Sequence, residues 1–90
     1  MVTFSAWAAQ AGTIERACLR ADRSAATKSL CSCIEDVAKP MFSRSEMRRI
    51  AKFFKEPHLT QELRQSDRRS DERFWDQYKA WGAAVRGQCG

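Results

Sequence analysis

The most constraining feature of the sequence is its set of four cysteines, two of which form the tight pair Cys31-Ser32-Cys33. The other two, Cys18 and Cys89, lie toward opposite ends of the 90-residue chain, so two cross-links can tie the whole molecule together. An even number of cysteines in so short a chain is typical of oxidising compartments, whereas in the cytosol it would indicate metal binding or redox chemistry. The cysteines therefore predict a small, disulfide-linked domain.

The length of the chain explains why cross-links are needed. One domain of this size buries only about 60–65% of the surface that its unfolded chain exposes, so its apolar core is a marginal source of stability. Two disulfides that each restrict the unfolded chain contribute about 2–4 kcal/mol apiece. We therefore expect the bridges to be structural.

The beginning of the chain has the composition of an export signal. Residues 1–14 carry no charge, and residues 9–11 read Ala-Gln-Ala, which is the small-x-small form that a signal peptidase cuts. Cleavage there would leave Gly12 as the mature N-terminus. The positive region that opens a signal peptide is missing, which fits a start site placed too late. We therefore predict a signal-peptide remnant over 1–11, a single helical domain over 12–90, and a periplasmic or secreted location.

Two properties of the chain restrict the classes of partner. No later stretch approaches the roughly 20 apolar residues that span a bilayer, so no transmembrane segment is expected. The net charge is +5, but acidic residues are interspersed among the basic ones rather than separated from them. Such a balance permits weak attraction to anionic surfaces and does not favour a nucleic-acid partner. Four arginines are candidate contacts to a partner: Arg48, Arg49, Arg68 and Arg69.

The first two predicted helices form a hairpin. Thr13 is the expected N-cap of a helix over 14–22, and Ser24 is the expected N-cap of the second helix. The second helix runs to Lys39, because Pro40 disfavours the α conformation in the residue before it. Its buried face is expected at the 3-4-3 spacing of Leu30, Cys33, Ile34 and Val37.

Three further helices are predicted. Ser43 and Glu46 match a capping box at the start of the third, which ends before Pro57, and a short fourth follows to about Gln65. Ser70 is expected to start the last helix, whose acidic first turn suits the positive end of the helix dipole. Its apolar stripe has 3.6-residue periodicity and comprises Phe74, Trp75, Tyr78, Trp81, Val85 and Cys89. The sequence thus predicts an all-α bundle of four or five short helices.

The helical geometry of the cysteine pair bears on the disulfide connectivity. On one helix, Cys31 and Cys33 point about 200° apart, so each is expected to reach a different partner. The hairpin places Cys18 nearer to Cys31, and the C-terminal helix should dock on the face of Cys33. We favour Cys18–Cys31 with Cys33–Cys89, and the swapped pairing, Cys18–Cys33 with Cys31–Cys89, is close behind.

Catalytic and metal sites are weighed against simpler roles. A Cys-x-Cys pair can be redox active, but thioredoxin-like activity normally uses an α/β scaffold, and no strand is predicted. A Cys3His zinc site with His58, or a copper site that adds Met41 and Met47, lacks the usual ligand spacing. His58 is the single histidine and has no predicted catalytic companion. We expect no enzyme, no metal and no cofactor, and the alternative is a thiol redox or metal-handling protein that uses Cys31 and Cys33.

One aromatic residue is a candidate contact to a partner. Phe74 and Trp75 are neighbours about 100° apart on the last helix, so one of the two should be partly exposed. An exposed tryptophan is a frequent anchor in protein–protein interfaces. Trp75 therefore joins the four arginines as a candidate partner contact.

Several short runs carry a resemblance to a known group. The runs at 29–34, 42–46, 51–54, 57–58, 63–67 and 74–79 resemble those of small exported alphaproteobacterial proteins of unknown function. These proteins often carry the label "arginine transporter" without a mechanism attached. The resemblance spans roughly 18–89 and implies a periplasmic or secreted protein. A chain of this size is too small for a two-lobed solute-binding protein and can at most accompany a transport system.

These observations combine into one functional expectation. The chain is expected to be a non-enzymatic, exported helical binding module or accessory subunit. Its expected partner is another protein or a component of the cell envelope.

Overall fold

The computed structural model describes residues 12–21 and 26–90, and this part of the chain contains five α-helices and no strand. The helices are α1 (Thr13–Arg20), α2 (Lys28–Ala38), α3 (Arg44–Lys55), α4 (His58–Gln65) and α5 (Arg69–Gln88). The predicted all-α class is confirmed. The expected signal remnant and the cleavage position after Ala11 lie outside the described residues, as does Ser24 itself. The prediction that Ser24 caps α2 is wrong, because the N-cap is Thr27, whose hydroxyl accepts a hydrogen bond from the Leu30 amide at 3.1 Å.

The helices enclose one apolar core. Helix α1 packs against α2 and α3, while α5 packs against α2 and α4, and α3 contacts α4. No described helix is both long enough and apolar enough to cross a membrane. Every helix contributes to the buried core, which consists of Ile14, Cys18, Cys31, Ile34, Ala38, Phe42, Ile50, Phe53, Leu63, Phe74 and Trp81.

Both disulfides have the predicted connectivity, Cys18–Cys31 and Cys33–Cys89. The first joins α1 to α2 inside the core, with both of its residues buried. The second joins α2 to the residue that follows α5, and both of its residues are only partly buried. Helix α2 is therefore tied on two sides, once to each end of the described chain.

The start of α3 is the capping box that its sequence predicts. The Ser43 hydroxyl accepts a hydrogen bond from the Glu46 amide at 3.2 Å, and the Glu46 carboxylate accepts one from the Ser43 amide at 2.8 Å. The two residues thereby satisfy amides that the first turn would leave unpaired. This local signal positions the helix that carries Ile50 and Phe53 into the core.

The start of α1 differs from the prediction that Thr13 caps it. The N-cap is Gly12, which has no side chain to accept a hydrogen bond. The buried carboxylate of Glu35, on α2, instead accepts from the amides of Ile14 and Glu15 at 2.8 and 3.0 Å. A β-carbon at Gly12 would overlap this carboxylate. A second helix therefore supplies the cap, and a glycine leaves room for it.

The buried face of α2 also differs from the expected one. Of the four residues predicted on it, only Ile34 is buried, while Leu30, Cys33 and Val37 are partly buried. The most buried residues are Cys31, Glu35 and Ala38, which lie with Ile34 at 3-1-3 spacing. The helix is rotated because it packs on two sides, with α1 against one stripe and α5 against the other.

The last helix begins one residue before the predicted start. Helix α5 starts at Arg69, and its N-cap, Arg68, makes no side-chain capping bond. The Ser66 hydroxyl accepts from the Arg68 amide at 3.2 Å and donates to the Asp71 carboxylate at 2.7 Å. The polar turn before the helix, rather than Ser70, thus organises its first turn.

The Glu35 cap gives a testable prediction about stability. Replacing Glu35 with alanine leaves two buried amides without their acceptor, which we expect to lower the free energy of unfolding by about 2 kcal/mol. Glu35→Gln keeps an oxygen acceptor and should lose less. Gly12→Ala, which displaces the carboxylate, should resemble Glu35→Ala. Urea denaturation followed by circular dichroism measures these differences, and equal stability of all three variants and the native chain would contradict this account of the cap.

Candidate interaction surface

The cysteines and the histidine show what chemistry the described chain offers. All four cysteines are in disulfides, and Cys31 and Cys33 have different partners. His58 is exposed at the start of α4, about 4 Å from the carboxylates of Glu56 and Glu62. No three His, Cys, Asp or Glu side chains of the described residues converge in a way that could hold a metal ion. The structure does not bring His58 together with the cysteines or with Met41 and Met47.

Trp75 lies at the edge of a cluster of aromatic rings. Its ring stacks on Tyr78 with centroids 5.8 Å apart and planes inclined by 21°, and the Lys79 ammonium lies 5.7 Å from its centroid. Tyr78 continues the cluster inward through edge contacts with Phe53 and a tilted contact with Trp81. Trp75 is partly exposed whereas its neighbour Phe74 is buried, which agrees with the helical geometry.

A shallow groove adjoins the aromatic cluster on the side of α3. It is lined by Phe53, Phe54, Pro57, Thr60 and Tyr78, none of which carries a charge. We call these residues together with Trp75 the aromatic face. Trp75 and Tyr78 belong to the predicted stripe of α5, but the groove depends on the turn between α3 and α4, which the sequence does not relate to that stripe. The signal for this groove in the sequence is the Phe53-Phe54 pair that precedes Pro57.

The candidate arginines differ in their surroundings. Arg48 lines a groove with Glu35, Lys39 and Arg44 beside the start of α1. Its neighbour Arg49 instead turns toward α5, where its guanidinium is 3.1 Å from the Asp71 carboxylate and 4.7 Å from the centroid of Phe74. The remaining two candidates, Arg68 and Arg69, are exposed at the start of α5. Arg49 thus joins α3 to α5.

Asp71 is the centre of this junction between helices. The hydrogen bond from Ser66 is the largest cause that lowers the pKa of Asp71 below its ordinary value of 3.8. The hydrogen bond and charge of Arg49 and the charge of Arg68 act in the same direction, and burial opposes them. The carboxylate is therefore better stabilised in the folded chain than in the unfolded chain.

The lowered pKa predicts how acid affects stability. A carboxyl group whose pKa is lower in the folded state contributes stability that is complete above its unfolded pKa and is lost as the pH falls through the folded pKa. Between about pH 5 and about pH 2, the native chain should therefore lose more stability than Asp71→Asn. The matched control is Asp76→Asn, because Asp76 is exposed and, among the described residues, forms its ion pair with the exposed Lys79. Urea midpoints across this range test the prediction, which fails if Asp71→Asn and Asp76→Asn respond alike.

Comparisons with known proteins identify no relative of this chain. No protein-family model, no curated protein and no solved structure matches it. The resemblance to small exported alphaproteobacterial proteins therefore stays a prediction. What is established is a class: a small all-α domain with two disulfides, which are consistent with an oxidising compartment.

Proposed function

We propose that this chain is a non-enzymatic, exported helical module that binds another protein or a component of the cell envelope. The observation that carries the proposal is the aromatic face, where Trp75 remains partly exposed although Tyr78 and the core lie directly behind it. Tryptophan and tyrosine are enriched at the energetic centres of protein interfaces, because they offer large contact areas at a small cost in conformational entropy.

Two carboxylates and the four cysteines have structural roles, and this supports a binding role for the protein. The buried carboxylate of Glu35 accepts helix amides, the Asp71 carboxylate joins two helices, and the cysteines form bridges. Each of these groups already has a structural partner. An accessory subunit of a larger periplasmic assembly is the role that best fits a small, cross-linked domain with an uncharged surface groove.

The location of the protein can be tested by its mass. In intact-mass spectrometry of protein isolated from its native host, we expect cleavage after Ala11 and the loss of four hydrogens through two disulfides. Free thiols in the native protein would contradict the structural role of the cysteines and would favour the redox or metal-handling alternative. An uncleaved, reduced chain would contradict export.

The binding surface can be tested by photocrosslinking in the native host. A photoreactive amino acid replaces Trp75 in one variant and Arg73 in a control, because Arg73 is exposed on the same helix about 160° away. We expect a discrete crosslinked species from position 75 that is absent from position 73. Equal products from both positions, or none from either, would refute the aromatic face as the binding surface.

A further inference from the structure

A second groove has a composition that specifies its occupant more closely. It lies between α1 and α3, has a volume of about 290 Å³, and is lined by Ala17, Arg20, Ala21, Ala51, Lys52, Phe54 and Lys55. We call it the α1–α3 groove. The aromatic face shares one residue with it, Phe54, so the two surfaces are continuous.

The floor of the α1–α3 groove is apolar and recessed. Three of its residues are alanines: Ala17 on α1 and Ala21, the C-cap that follows α1, lie on one side, and Ala51 on α3 lies on the other. Because alanine ends at its β-carbon, the two helices leave a depression between them rather than a filled seam. Phe54 closes one side with a partly buried ring. The depression is about as large as the smallest pockets that hold ligands and suits a single apolar side chain.

Among the described residues that line the groove, the charged ones all have one sign. Arg20, Lys52 and Lys55 are its charged residues, and each of them is exposed. None of the three has an ion pair with a carboxylate among the described residues, unlike Arg49, Lys39 and Lys79. Their long side chains can extend beyond the alanine floor, so they can meet anions around an apolar group that enters the depression.

We propose that the α1–α3 groove binds an acidic peptide segment in which one large apolar side chain is flanked by carboxylates. The apolar side chain occupies the alanine floor against Phe54, and the carboxylates meet Arg20, Lys52 and Lys55. This proposal rests on the proposed binding function and specifies the chemistry of the partner. A bilayer fits less well, because membrane contact is made by protruding apolar side chains, whereas here the apolar floor lies beneath the cations.

The experiment uses a peptide with a central leucine flanked on each side by two glutamates. When this peptide is titrated into isotopically labelled protein, it should shift the amide resonances of residues 17–21 and 51–55. Added salt should weaken its binding. One control peptide has serine in place of leucine, and another has glutamines in place of the glutamates. Both should bind more weakly. Equal binding of either control would overturn the proposal.

Protein variants separate the shape of the groove from its charge. Lys52→Glu with Lys55→Glu should weaken the peptide about tenfold, since two attractions become repulsions. The matched control, Arg73→Glu with Arg86→Glu, makes the same change in net charge on exposed residues of α5 that do not line the groove. Ala51→Leu should weaken binding by filling the floor. Equal weakening by the control pair would indicate general attraction and refute a specific site.

Two further outcomes are distinguishable. If vesicles of phosphatidylglycerol bind with the same sensitivity to Lys52→Glu and Lys55→Glu while the peptide does not, the groove binds lipid and the proposal is wrong. If the peptide fails to bind while photocrosslinking at position 75 still yields a discrete product, the binding function stands and only the peptide assignment fails. If the peptide does not bind and position 75 yields no discrete crosslinked product, the proposed binding function is refuted as well.

Discussion

Replacing both Cys33 and Cys89 with alanine is expected to lower the free energy of unfolding by about 4 kcal/mol, because their bridge closes a long loop in the unfolded chain. The two residues are 56 positions apart, whereas Cys18 and Cys31 are 13 apart. The same loop-entropy argument gives about 3 kcal/mol for the shorter bridge. Natural domains have a total stability of about 5–15 kcal/mol, so either loss is a large share of it.

The denaturant dependence of unfolding distinguishes how the two bridges act. A chain released from the longer cross-link expands further when it unfolds, so the urea m-value should rise more in Cys33→Ala with Cys89→Ala than in Cys18→Ala with Cys31→Ala. The second pair is buried, and its loss also removes packing from the core. Urea titrations of both variants provide the comparison. An unchanged m-value in the first variant would show that its bridge acts mainly through native packing.

The sequence predicts those parts of the fold that depend on neighbouring residues. The capping box of α3 is readable because Ser43 and Glu46 lie three residues apart. That Cys31 and Cys33 bond to different partners is readable because the helical geometry sends their side chains in different directions. In both cases the relevant geometry lies within about one helical turn of the chain. The choice between the two possible pairings was only favoured, because it depends on how α1 and α5 pack against α2.

The features that the sequence misses depend on how helices pack. The cap of α1 comes from Glu35, which is more than twenty residues from Gly12 and belongs to another helix. A signal for it exists, because Glu35 lies four residues after Cys31 and therefore shares its face. This signal can be used only when the buried face of α2 is known to be the one that Cys31 presents to Cys18. The apolar stripe through Leu30 suggests a different face.

The candidate surfaces were predictable to different extents. Partial exposure of Trp75 follows from its position beside Phe74 on one helix. The α1–α3 groove does not follow from the sequence, because alanines such as Ala17 and Ala51 fit equally well into a tight helix contact or the floor of a depression. Helix crossing distances decide between these outcomes, and they are set by side chains along the whole contact.

Replacing Trp81 with alanine should cost about 3–5 kcal/mol, which is the range for removing a buried aromatic ring from a packed core. Trp81 is 5% exposed, its indole N–H donates to the Ile34 carbonyl at 3.1 Å, and its ring meets Phe42 edge-on at 6.2 Å. Trp81→Phe keeps the ring contact and removes the hydrogen bond, so it should cost less than Trp81→Ala. Thermal and urea unfolding measure both variants.

Trp75→Ala is the matched comparison on the same helix, and it links stability to the proposed function. Trp75 is partly exposed and stacks mainly on Tyr78, so its loss should cost only about 1 kcal/mol. A residue that contributes little to folding yet places an indole ring at the surface is available to contact a partner. If Trp75→Ala destabilised the chain as much as Trp81→Ala, Trp75 would be a core residue, and the aromatic face would lose its basis as a binding surface.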